Sequence, residues 1–201
     1  MPKNDSFFQE GQPFFRSGKH FYGNVRILCR LSILTALYVL LTMVSIRAGN
    51  LRITFASLPL VVCALLFGPW QAATVALMGE FMNQMLSYGF TATTALWLIP
   101  PAVRALVIGA AAVRASSARR MPEDRPVFCY VVCALAAIAT TVCNTAVICV
   151  DALIYHYFTP VLIYGDLLVR LGTGLLTSVV VASVAMPLTH LLRRQQTARS
   201  L

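Results

Sequence analysis

LRITFASLPLVVCALLFGPWQAATVALMGEFMNQML, residues 51–86, is the stretch whose reading decides the fold. A basic, β-branched entry (Arg52, Ile53, Thr54, Phe55) leads into an apolar run from Leu58 to Phe67. The run turns at Gly68-Pro69, and Pro69 suits the first position of a helix, where a missing N–H costs nothing. A small-residue segment then climbs to Glu80, Asn83 and Gln84. A carboxylate and two amides at the end of an apolar hairpin are costly in hydrocarbon, so their presence asks for a function.

Composition extends this reading to the whole chain. Of 201 residues 58% are hydrophobic and 11% charged, with a mean hydropathy of +0.74. A soluble domain carries roughly 25% charged residues. The chain therefore reads as an all-α integral membrane protein. A spanning helix needs about 20 apolar residues, which leaves room for about six. The expected spans are Ile27–Ile46, Leu58–Phe67, Pro69–Leu86, Ala95–Val113, Val127–Ile154 and Asp166–Leu192. The second is short, as a tilted or partly interfacial helix would be. The fourth is expected to break at Pro100-Pro101 and the sixth to bend at Pro187. Residues 47–57 have the pattern of an extended connection, and residues 158–165 read as a loop. Residues 26–192 thus form the membrane domain, between tails at 1–25 and 193–201. The N-terminal tail is polar and Phe-rich, with none of the marks of a secretory signal.

Charge orients the spans. The N-terminal flank carries Lys3, Arg16, Lys19, Arg26 and Arg30. The loop after the fourth span carries Arg114, Arg119, Arg120 and Arg125, and the C-terminal tail Arg193, Arg194 and Arg199. The opposite side has Arg47 and Arg52. Basic residues collect on the cytoplasmic side, which puts both termini in the cytoplasm of a bacterial cell, with the chain in its plasma membrane. The net charge of +9 is then topogenic, and its partner is the lipid bilayer and not nucleic acid.

The chemistry of an enzyme is absent from the sequence. There is no G-x-x-x-x-G-K-[ST], H-E-x-x-H or G-x-S-x-G. The six cysteines include no C-x-x-C and read as reduced core residues, and His156 and His190 fall near opposite membrane faces. No cofactor or metal site is expected, and no catalytic residue.

Topology converts position into depth. Glu80, Asn83, Gln84, Asn144, Asp151 and Arg170 all fall in the outer halves of their spans, and Trp97 lies near the outer surface. Polar groups scattered for helix packing do not segregate this way, whereas a cavity open to the outside produces that distribution. Arg52 and Phe55 on the outer connection complete the candidate binding set. Bland readings stand beside the sharp one. Glu80 with Arg104 is equally readable as a structural ion pair, Asp151 with Arg170 reads more readily as a structural pair than as two ligand groups, and Asn144 is equally readable as glue between helices. Ser32-x-x-x-Ala36, Ala72-x-x-x-Ala76 and Ala105-x-x-x-Gly109 present small faces that let helices approach closely.

These residues carry a resemblance. R-I-T-F-x-x-L-P at 52–59, L-L-F-G-P-W at 65–70, the Glu80–Asn83 stretch, GFTATTALWLIPPAVRALVIGA at 89–110 and Asn144-Thr145 together resemble the substrate-binding S components of energy-coupling factor (ECF) vitamin transporters, nearest the folate-type group. The resemblance implies a vitamin bound at an outward-facing site beneath a lid formed by the connection after the first helix. It also implies partners, a transmembrane coupling protein and two cytosolic ATPases, with Ser32 and Ala36 standing where the family's docking motif lies. Two other readings remain open on the sequence: a solitary proton-coupled transporter, and a membrane subunit without a ligand.

Overall fold

The computed structural model describes residues 25–48, 51–53, 55–117, 126–156 and 159–198. Its elements are α1 (Val25–Met43), β1 (Ile46–Ala48), β2 (Leu51–Ile53), α2 (Ser57–Phe67), α3 (Pro69–Tyr88), α4 (Thr94–Trp97), α5 (Ile99–Ser117), α6 (Pro126–Ile154) and α7 (Pro160–Ala198). Residues 1–24, the hydrophilic loop at 118–125, Tyr157 and residues 199–201 lie outside the described residues, whereas residues 193–198, expected as part of the C-terminal tail, continue α7. Six long helices and the single-turn α4 are therefore described, and the chain is an all-α, multi-pass membrane protein.

The helix α2 organises the bundle. It packs against α1, α3, α5 and α7, and every residue but Leu58 is buried. Cys63 and Ala64 have no exposed surface at all. An apolar helix without a polar side belongs inside a protein or a bilayer. Here it is inside the protein, along its whole length of 11 residues. A helix wrapped by others has no lipid thickness of its own to match. Its C-terminal carbonyls are still obligatory acceptors in a dry interior. The Gly68 N–H reaches the Ala64 carbonyl at 3.2 Å, and the Arg193 guanidinium, from the far end of α7, donates to the Leu65 carbonyl at 2.9 Å. Gly68 supplies the positive φ of 93° that the tight reversal into α3 requires.

Around α2, neighbours meet in the sequence α1–α3–α5–α6–α7. The small faces read from sequence do pack. Ala72, Ala76 and Ala105 are fully buried, and a Cβ on Gly109 would sit 2.4 Å from the Pro69 Cα. Backbone-to-backbone approach of this kind leaves room for glycine alone. Ser32 and Ala36 differ, because both are exposed on the outer side of α1.

Three boundaries differ from expectation. Ile46 enters β1 and not the first helix, and the connection forms an antiparallel hairpin with Arg47 opposite Arg52. Extended pairing satisfies the backbone polar groups of a short surface link. The break in the fourth span falls at Leu98, just before the two prolines, which then occupy the first turn of α5, where neither needs an N–H. The last helix starts at Pro160, so residues 160–165, expected as loop, are helical. Pro160 initiates the helix for the same reason as Pro69, and Gly165 alone does not stop it. Pro187 sits within α7, which continues past it.

Apolar side chains cover the outside. Leu28, Ile33 and Leu40 on α1, Val131, Leu135 and Val142 on α6, and Leu176, Val184 and Leu191 on α7 are all exposed. The stretches 94–116, 126–154 and 165–195 have mean hydropathies of 1.8, 2.1 and 1.9 and are long enough to cross a membrane. Lipid is the solvent that this surface fits.

Candidate binding cavity

A cavity of about 700 Å³ opens among the helices of the bundle. Helix periodicity builds its walls. On α6, Thr140, Thr141, Asn144, Ile148 and Asp151 recur at three- and four-residue steps and all line it. On α7, Arg170, Thr173, Gly174 and Thr177 do the same. Pro100, Pro101 and Arg104 face it from α5, Trp97 from α4, Glu80, Gln84 and Tyr88 from α3, and Tyr38 from α1. The start of α2 forms part of the wall at Ala56, Ser57 and Leu60.

Six of the nine expected binding residues are thereby brought together: Glu80, Gln84, Trp97, Asn144, Asp151 and Arg170. Asn83 is buried but lies behind the wall, and Phe55 is half-exposed away from it. Arg52 sits in β2, and its side chain lies outside what the structure describes.

Glu80 is a hub. Its Oε1 accepts from Asn83 Nδ2 at 2.9 Å and from Gln84 Nε2 at 3.0 Å. Its Oε2 accepts from the Tyr38 hydroxyl at 2.9 Å. Three neutral donors therefore carry the carboxylate, and the Ser87 hydroxyl extends the chain to Asn83 Oδ1 at 3.3 Å. The Tyr38 ring reaches this position across Gly79, where a Cβ would lie 2.5 Å from Tyr38 Cδ1. The network joins α1 to α3 at the cavity wall.

The two expected ion pairs are not formed. Among the described residues Arg104 instead uses Nε to donate to Thr140 Oγ1 at 3.2 Å, so its terminal nitrogens keep their donors for the cavity. Arg170 pairs within its own helix, with Asp166 at 3.6 Å, and not with Asp151. That spacing of one turn is a local contact that depth reckoning across helices overlooks. Among the described residues the Arg170 Nη1 is buried and finds no hydrogen-bond partner. Asp151 is itself buried, at 8% exposure.

The threonines matter for their polarity. Thr140 and Thr141 donate to the Ala136 and Ala137 carbonyls at 2.6 and 2.9 Å. Thr173 and Thr177 donate to the Val169 and Thr173 carbonyls at 2.9 and 2.8 Å. Each hydroxyl has spent its proton on its own helix, so toward the cavity it offers lone pairs. The cavity thus presents a collar of acceptors, two guanidinium donors and an aromatic wall. Tyr38 and the four threonines were not picked out from sequence. Their signal was the stripe itself, Thr140–Asn144–Asp151 on one helix and Arg170–Thr173–Thr177 on another.

Comparison with known proteins places this geometry. Residues 23–194 match the family model described as "ECF-type riboflavin transporter, S component". A solved structure described as "Structure and mechanism of the S component of a bacterial ECF transporter" superposes with a TM-score of 0.52. It shares 19% identity and covers 86% of this chain and 96% of its own, a likeness of fold. No match was found among curated proteins. The family matched is the riboflavin type, and nothing here supports the folate grouping.

Proposed function

Since the chain belongs to the ECF-type riboflavin transporter S-component family, we propose that it binds riboflavin, or a flavin close to it, in the cavity between α3, α5, α6 and α7. The donor–acceptor polarity of the cavity supports this reading most. A flavin joins a planar ring with carbonyl acceptors to a ribityl chain of hydroxyl donors. The ring finds Trp97 and the Tyr88 side chain for its faces and a guanidinium for its carbonyl edge. The hydroxyls find Thr141, Thr173 and Thr177, whose oxygens are left as acceptors, while Thr140 already accepts from Arg104. A pterin with a glutamate tail asks the collar for fewer acceptors. The volume of about 700 Å³ lies within the usual range for small-molecule sites.

Both termini are cytoplasmic in this reading, and the cavity faces outward. In this reading the hairpin β1–β2, which contacts α7, is the segment that would serve as a lid. A transmembrane coupling protein and two cytosolic ATPases supply the energy, and the exposed Ser32–Ala36 face of α1 meets the coupling protein. The Glu80 hub then serves as a strut for the cavity wall and not as a proton carrier. Its two oxygens accept from Tyr38, Asn83 and Gln84, which tie α1 to α3 at the wall.

Uptake tests the reading. Bacteria unable to make riboflavin, expressing this chain with an ECF module, should accumulate labelled riboflavin and grow on it. Expression of the chain alone should not support uptake. Full-rate uptake by the chain alone, or riboflavin uptake no better than background with the module present, would overturn it.

A further inference from the structure

Resting on the flavin reading above only for the ligand that reads it out, we propose that Thr140 is a positioning residue, whose hydroxyl fixes the direction in which Arg104 presents its guanidinium to the cavity. The two residues belong to one directed chain. Arg104 Nε donates to Thr140 Oγ1 at 3.2 Å, and Thr140 Oγ1 donates to the Ala136 carbonyl at 2.6 Å. A hydroxyl has one proton, and the shorter bond commits this one to its own helix. Toward Arg104 the oxygen is then an acceptor, and a guanidinium has only donors. The chain therefore runs in one sense, from α5 through Thr140 to the backbone of α6. The cavity's carboxylate on α3 does not take this part, since Glu80 already accepts from Tyr38, Asn83 and Gln84. A neutral oxygen holds the cation.

Placement on α6 explains why the role falls to Thr140 and not to its neighbour. Successive residues on a helix point about 100° apart. Thr140 meets α5 through Arg104, whereas Thr141 meets α7, where a Cβ on Gly174 would lie 3.4 Å from its Oγ1. The anchored atom also decides what is left for a ligand. A guanidinium offers a side-on pair of donors that includes Nε and an end-on pair at its two terminal nitrogens. With Nε spent on Thr140, the end-on pair is the one turned to the cavity, which both residues line. A carbonyl edge meets it along the length of the side chain. Arginine is rich in rotamers, and holding it beforehand spares the ligand the entropy of ordering it. Thr140 thus acts on the ligand through Arg104.

Isotope labelling of arginine side chains in the purified full-length chain, read by NMR in micelles, tests the bond without a ligand. The Arg104 Nε–H signal, assigned by its disappearance in Arg104→Lys, should be protected from exchange with water in the parent and in Thr140→Ser, and should lose that protection in Thr140→Val. Titration with riboflavin, followed by flavin fluorescence, tests the consequence. Thr140→Val should weaken binding by roughly tenfold, the scale of one misdirected charge-assisted contact, and Thr140→Ser should keep most of the parent affinity. In an Arg104→Met background the valine change should cost nothing further, a coupling that a merely structural threonine does not produce. Thr140→Ala carries the same comparisons if the valine variant does not fold. An Nε–H equally protected without the hydroxyl, or losses of affinity that add, would overturn the inference and leave riboflavin binding standing. A parent chain that does not bind riboflavin would overturn the flavin reading, and the exchange measurement then decides the role of Thr140 by itself.

Discussion

Replacing Gly79 with alanine should loosen the cavity wall through a residue that touches no ligand. The new Cβ would lie 2.5, 2.9 and 3.1 Å from Cδ1, Cγ and Cε1 of Tyr38. Ordinary contact begins near 3.4 Å, so the ring must retreat by about 1 Å. Tyr38 is 5% exposed and has nowhere to swing. A retreat of that size stretches the 2.9 Å bond to Glu80 Oε2 beyond hydrogen-bonding range. Overpacking alone costs about 1–3 kcal/mol, and loss of a hydrogen bond to a charged group about 1.5–3 kcal/mol. Partial relaxation makes these overlap, and the expected loss is about 3 kcal/mol. The assay is a double-mutant cycle on unfolding in mixed micelles. Tyr38→Phe alone should cost about 1.5–3 kcal/mol, the value of the lost bond to a carboxylate. In the Gly79→Ala background the same change should cost little, since the bond is already broken. Ligand affinity should fall in both single variants. A Gly79→Ala variant as stable as the parent, or costs that add without coupling, would refute the network.

Other outcomes follow from the same geometry. Gly109→Leu should prevent stable folding, because even a Cβ there meets the Pro69 backbone at 2.4 Å; yield and monodispersity after extraction report it. Arg193→Ala should destabilise the bundle by about 1–3 kcal/mol, because the buried Leu65 carbonyl loses a donor, while ligand affinity stays at the parent value; unfolding and titration run side by side separate the two. Ser32→Leu with Ala36→Leu should leave ligand affinity unchanged, since both face away from the cavity on α1, yet abolish module-dependent uptake; normal uptake would remove this face from the docking surface. Trp97→Ala should weaken flavin binding by roughly tenfold through loss of a stacking face, near 1–1.5 kcal/mol, measured by the same fluorescence titration.

Much of this architecture was legible in the chain. Hydropathy and the placement of Lys and Arg gave six spans, because bilayer thickness and topogenic charge act on composition directly. The small-residue faces at Ala72, Ala76, Ala105 and Gly109 were legible because close packing leaves no alternative side chain. Depth reckoning brought together six residues that do line one cavity. It failed where partners are chosen by rotation about a helix axis and not by depth. Glu80 and Arg104 share a level but not a bond, and Arg170 turned to Asp166 in its own helix. The central place of α2 was hidden because a short apolar run looks the same against lipid as against protein. Threonines on apolar helices were passed over because hydropathy counts them as neutral, although their spent protons give the cavity its acceptor character.

The claim that the cavity is a flavin site is tested most directly by titrating the purified, ligand-depleted chain with riboflavin in the presence and absence of folate. The account predicts saturable quenching of flavin fluorescence at one flavin per chain, unaffected by excess folate. A folded chain that leaves riboflavin fluorescence unchanged, or one from which folate displaces the flavin, would contradict it.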